Sequence, residues 1–135
     1  MDDKLTLTDF IGRKTLQKMQ DAFSNMTGVA AITTDADGMA VTDGSGFSEF
    51  CQYTRSAKEG CRRCAECDKR GGELAFEKGS SVVYNCHTGL LVFAAPIMAD
   101  NRLLGSFICG QVLTEEPDLA RIREIASEIG VDEDA

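Results

Sequence analysis

Cys51, Cys61, Cys64, Cys67, Cys86 and Cys109 are the residues best equipped to do chemistry in this chain. The dense run is Cys61-Arg62-Arg63-Cys64-Ala65-Glu66-Cys67. Two cysteines spaced this way can turn both sulfurs toward one metal ion roughly 2.3 Å away. The run lies where a helix is expected to begin, and a helix N-terminus, with Arg62 and Arg63 beside it, favours the thiolate. At about 100° per residue, Cys61 and Cys64 share a helix face and Cys67 drifts off it. Cys51 lies just upstream, and Cys86 ends an expected strand. Cys51, Cys61, Cys64 and Cys86 would therefore close a tetrahedral thiolate site, the pattern of structural zinc. Such a site contributes on the order of 10 kcal/mol to folding. The same sulfurs suit an iron–sulfur cluster. Disulfides, or a reversible redox switch, remain open, as do plain unpaired thiols. Cys109, inside Phe107-Ile108-Cys109-Gly110, reads as a small buried hydrophobe of a core strand.

His87 is the lone histidine. It can replace a cysteine on the metal, donate into a ligand pocket, or be a satisfied polar residue at a strand end. Strand alternation turns Cys86 and His87 to opposite faces, which argues against both binding one ion. Catalysis finds little support. A zinc deaminase would need His-x-Glu and a proline before its Cys-x-x-Cys, and a thiol hydrolase would need a positioned histidine with a third partner. The stretch Gly44-Ser45-Gly46 lacks the lysine and spacing of a phosphate loop. No catalytic residue is assigned, and the chain is not expected to be an enzyme.

The elements that must position these residues follow from periodicity. Leu16, Met19, Phe23 and Met26 recur at helical spacing, with Thr8 or Thr15 as caps. Residues 28–34 read as a strand, Asp35 to Gly38 as a turn, and Met39 to Thr42 as a short returning strand. Phe47, Phe50 and Cys51 suggest one or two helical turns. A second helix runs from Cys61 to Glu77, weakened by Gly71-Gly72 and stopped at Gly79. Strands follow at 81–86, 90–98 and 102–113, with Pro96 marking a bulge or gap. Pro117 opens a last helix to about 129, with Glu115, Glu116 and Asp118 at its start. An antiparallel sheet of about five strands with helices on one side accounts for this order. That is the α+β arrangement of PAS and GAF domains, here with a cysteine-rich helical insertion.

With 135 residues, 43% of them apolar and 27% charged, the chain is expected to be one domain, residues 1–135, with a real core. Its longest mostly apolar stretch, Leu90 to Ala99, is far short of the roughly 20 residues that cross a bilayer. The start Met1-Asp2-Asp3-Lys4 lacks the pattern of a signal peptide. A cytoplasmic location with reduced thiols is the expectation, with no membrane partner. The net charge of −8 argues against direct nucleic-acid binding.

Several segments carry a resemblance to a known family. They are Phe50-Cys51, Cys61-Arg-Arg-Cys64, Val83 to Leu90 (VYNCHTGL), Phe93 to Ile97, Gly105 and Gly110-Gln111-Val112. Together they resemble the PocR-type sensory domain over about Leu5 to Leu113. The resemblance implies a PAS-like small-molecule sensor of a bacterial or archaeal signalling or transcription regulator. Its ligands would be small diols or hydrocarbon derivatives. The family's usual cysteines match Cys51, Cys61, Cys64 and Cys86, and Cys67 looks like an extra. A cavity between sheet and helices is implied, with Tyr84 or His87 and Gln111 as polar candidates and Phe50, Phe93 and Phe107 as lining. The alternative function is a redox or iron–sulfur sensor whose input is the cysteine cluster itself. PAS-like sensors often dimerise through terminal helices, so a homodimer and a monomer both stay open. No output module is recognised, so the chain reads either as an excised sensor whose terminal helix leads to one or as a stand-alone copy.

Overall fold

The structure, a computed structural model, describes residues 6–99, 101–112 and 119–131. Its helices are α1 (Leu7–Phe10), α2 (Arg13–Thr27), α3 (Glu49–Ser56), α4 (Lys58–Lys78) and α5 (Leu119–Ile129). Its strands are β1 (Ala30–Asp35), β2 (Val82–Asn85), β3 (Leu91–Ala99) and β4 (Arg102–Val112). They form one antiparallel sheet in the order β1-β4-β3-β2. This is the α+β sheet flanked by helices that the periodicity implies. Leu113 and the segment 114–118, including Pro117 and its acidic neighbours, lie outside the described residues.

The sheet has four strands among the described residues, against an expected five. Residues 39–45 do return along β1, but they make only isolated bridges, Ala40 to Thr34 and Ser45 to Ala31. The reason is local. The Thr33 N–H donates to the Thr42 side-chain hydroxyl at 3.0 Å, so a side chain takes a donor that a ladder would have used. Pro96 behaves as expected, since the β3/β4 register shifts just after it, between Ile97 and Met98.

Helices cover both faces of the sheet rather than one. Val82, Ala94, Ile108 and Ile32 are aligned across the four strands, so they share a face. They form the main core with Val92. Helix α4 lies on that face at close range. A Cβ on Gly71 would fall 2.4 Å from the Tyr84 ring, and one on Gly72 would fall 2.1 Å from the Ser106 hydroxyl. The two glycines that look like a weakness in the helix are what lets it touch the sheet. Thr33 and Phe107 are paired and point the other way. There α2 meets them, with Phe23 edge-on to Phe107 at 5.1 Å between centroids.

The inward face of α2 takes only Leu16 and Phe23 from the apolar stripe. Leu16, Gln20 and Ser24 are buried, while Met19 is 61% and Met26 80% exposed. Gln20 donates to the Asp43 carbonyl and the Ser45 hydroxyl, and accepts from Thr33 and Thr42. It ties the 39–46 segment to β1. Neither Thr8 nor Thr15 caps α2, which begins at Arg13 after Gly12. Gly79, at φ 76°, ends α4 as expected. No described helix is long and apolar enough to cross a membrane.

Candidate functional site

Helices α3 and α4 are joined by a single residue, Ala57. Ser48 caps α3 by accepting the Cys51 N–H at 3.2 Å. Gly60, in the first turn of α4, lets the two helices cross closely, because a Cβ there would lie 2.0 Å from the Thr54 carbonyl oxygen. The crossing brings Arg55 of α3 against Asp68 of α4, with Nη2 to Oδ2 at 3.2 Å. The Asp68 side chain is 7% exposed and that of Arg55 is 22% exposed. The Arg55 guanidinium also lies over the Phe47 ring, 4.9 Å from its centroid.

Between these helices and the sheet lies a cavity of about 40 Å³. The space is tight, so a guest must be small. Ile32, Phe47, Phe50, Val92 and Ile108 supply apolar lining. Arg55, Asp68 and Thr54 supply polar groups, but Thr54 already donates its hydroxyl to the Phe50 carbonyl. Ile32, Phe47 and Arg55 also line an open groove beside residues 40–46, which offers a way in.

Cys51, Cys64 and Cys86 share this cavity, and so does Cys67. Cys61 does not line it and is exposed. Cys61 has the right angle on α4 but lies one turn short of Cys64, the first α4 residue to reach the cavity. The cysteine that helical geometry set aside is therefore inside, and one assigned as a ligand is outside. Among the described residues, no three His, Cys, Asp or Glu side chains are placed to hold a metal ion. As they stand, the four expected thiols do not fit one.

The electrostatics also differ from the expected activated thiolates. Burial pushes the Cys64 thiol up to about 12 and raises Cys51, Cys67 and Cys109 as well. Arg62 and Arg63 do not offset this, because they are engaged by Glu59, Glu66 and Glu128. Burial also raises Asp68 to about 6, against the pull of Arg55. Burial works against the Arg55 charge, but Asp68 supports it, and on balance Arg55 is held more firmly protonated.

One prediction arises here. Brief maleimide labelling of the native protein, read by peptide mass spectrometry, is expected to modify Cys61 first and to spare Cys51, Cys64 and Cys67. Labelling of Cys64 ahead of Cys61 would contradict the burial described.

The remaining candidates divide. Phe50 lines the cavity. Phe93, 38% exposed on the opposite face, and Phe107, packed on Phe23, do not. Tyr84 packs on the core beside Gly71, and its buried hydroxyl has no partner among the described residues. His87 follows β2, with Nε2 3.3 Å from the Cys64 sulfur and a buried Nδ1 without a partner among the described residues. Burial, then Arg63 and Arg55, lower the His87 pKa and favour the neutral ring. Gln111 occupies the extra position of a bulge in β4, between Gly110 paired with Val92 and Val112 paired with Leu91. Its side chain lies outside the described residues. Cys109 is half-buried and borders the cavity rather than being sealed in the core. Sequence reasoning missed Arg55 and Asp68. The available signal was that Asp68 lies one helical turn beyond Cys64, on the face already argued to matter.

Helix α5 docks beside this arrangement. Arg63 bridges Glu59 at 3.0 Å and Glu128 at 2.8 Å. Ile129 is buried, and its Cδ1 would lie 3.1 Å from a Cβ on Gly60. The α3–α4 crossing thus touches the cavity through Thr54 and α5 through Gly60.

Residues 9–135 match the family described as the sensory domain found in PocR. Over 111 residues the chain is 30% identical to the regulatory protein PocR of Salmonella typhimurium, a stretch that covers 82% of this chain and 37% of that protein. The chain therefore spans little more than a third of the length of the curated relative it matches. With most of its length matched, and with the α+β sheet and helices in place, this chain belongs to the PocR sensory-domain family.

Proposed function

We propose that this domain is the ligand-sensing unit of a bacterial or archaeal signalling or transcription regulator and not an enzyme. A small organic molecule, of the diol or hydrocarbon-derivative class, enters the cavity under α3 and α4. The observation that carries this is the apolar cavity with one buried ion pair in its wall. A guest that favours one packing of α3 against α4 shifts the population toward it. Gly60 passes that shift to α5, from which an output module would read it. The domain would work in the cytoplasm, without touching nucleic acid or membrane itself, as a monomer or a homodimer.

The test is methyl NMR of the whole chain titrated with small alcohols, diols, ketones and carboxylates. Saturable shifts at Ile32, Val92 and Ile108 are expected with at least one of them. If none of the series moves these methyls, the cavity is not a ligand site.

A bound zinc ion or iron–sulfur cluster is a second reading, supported by the four thiols of Cys51, Cys64, Cys67 and Cys86 around one cavity. It would require those side chains to draw together, and Cys61 would not take part. Elemental analysis of protein purified without added metal decides it. A redox input fits less well, because burial raises the Cys51, Cys64 and Cys67 thiols and so makes them slow to react.

A further inference from the structure

Arg55 and Asp68 are the charged residues in the cavity wall. They neutralise each other at 3.2 Å. Asp68 is spent on that pair, yet the Arg55 Nε–H is buried with no acceptor among the described residues. An unmet buried donor is costly, and a guest that supplied an oxygen would relieve it. A carboxylate could also reach this donor, but it would bring its charge beside Asp68 in a poorly solvated space. An ammonium would meet Arg55 in the same way. Thr54 offers no free proton, since its hydroxyl is bonded to Phe50.

We propose that the Arg55–Asp68 pair is the specificity filter of the cavity, admitting an uncharged small molecule with a hydrogen-bond acceptor and rejecting its carboxylate and amine counterparts. This rests on the ligand-cavity reading above and adds which ligands pass. A sensor built this way registers a small alcohol or carbonyl compound and ignores the acid formed when that compound is oxidised.

The experiment compares propane-1,2-diol, propionate and propylammonium on the whole chain, at neutral pH and matched ionic strength, by the methyl shifts of Ile32, Val92 and Ile108. The wild-type protein is expected to bind the diol at least 10-fold more tightly than either ion. Asp68→Asn keeps the side-chain shape but leaves Arg55 unbalanced, so propionate should gain at least 10-fold and overtake the diol. The double variant Arg55→Gln/Asp68→Asn carries neither charge; the diol should weaken in it and propionate should gain nothing. It also serves if Asp68→Asn alone does not fold. Propionate binding wild type as tightly as the diol, or gaining equally in the double variant, overturns the filter while leaving the cavity reading intact. No methyl shift with any probe in wild type removes both.

Discussion

Arg55→Ala is expected to lower stability by about 3 kcal/mol at neutral pH, the low end of the range for breaking a buried ion pair. The low end applies because the Arg55 side chain is 22% exposed and already partly solvated in the native state. The cost comes from what remains: Asp68, 7% exposed, must carry an unopposed charge or take up a proton, and Phe47 loses the guanidinium packed over it. For a chain of this size the loss corresponds to a fall in Tm of roughly 10 °C. The deficit should depend on pH. The folded pKa of Asp68 is raised to about 6 from 3.8, so its own contribution to stability is greatest at low pH and is lost as pH rises through about 6. Arg55 offsets that loss only where Asp68 is ionised. Without Arg55 the Asp68 pKa should rise further above 6, so the gap should be widest well above pH 6 and close as pH falls toward it. Urea denaturation of both proteins at several pH values measures this. A gap that does not change with pH would mean that Asp68 is not the group left behind.

A comparable loss, about 3 kcal/mol, is expected for Gln20→Ala. Gln20 is 1% exposed and bonds to Asp43, Ser45, Thr33 and Thr42. Truncation strands the two threonine hydroxyls in a buried space, and each unsatisfied group costs about 1–3 kcal/mol. It also frees the segment that lines the open groove, so ligand affinity should fall along with stability. Met19→Ala, one residue away, should change stability by no more than about 0.5 kcal/mol, because Met19 is 61% exposed. Equilibrium unfolding of the two variants side by side makes the comparison. A costly Met19→Ala beside a silent Gln20→Ala would mean that α2 turns Met19 inward in place of Gln20.

Those two adjacent residues mark where the one-dimensional pattern stops being informative. A spacing of three and four identifies α2 as a helix, because backbone hydrogen bonding imposes that period on any sequence that repeats it. It does not say which side faces in. Gln20 wins that position because Thr33 from β1, and Thr42 and Ser45 from the 39–46 segment, arrive to satisfy its amide. The strands are readable for a similar reason: β-branched and apolar runs between turn residues favour the pleated backbone, and even the bulge after Pro96 follows from a missing N–H. The pair Gly71-Gly72 shows the limit from the other side. Local propensity counts both against the helix, whereas contact with Tyr84 and Ser106 requires them.

Family membership and most of the element order are written in the chain itself, since both depend on residue types at fixed separations. The contents of the cavity are not. Cys61 and Cys67 exchange their expected places because the point at which α4 first meets the cavity is set by the α3–α4 crossing at Gly60, not by the spacing of the sulfurs. The same crossing places Arg55 against Asp68. Charge partners 13 positions apart have no local signature, and only packing in three dimensions brings them into one wall.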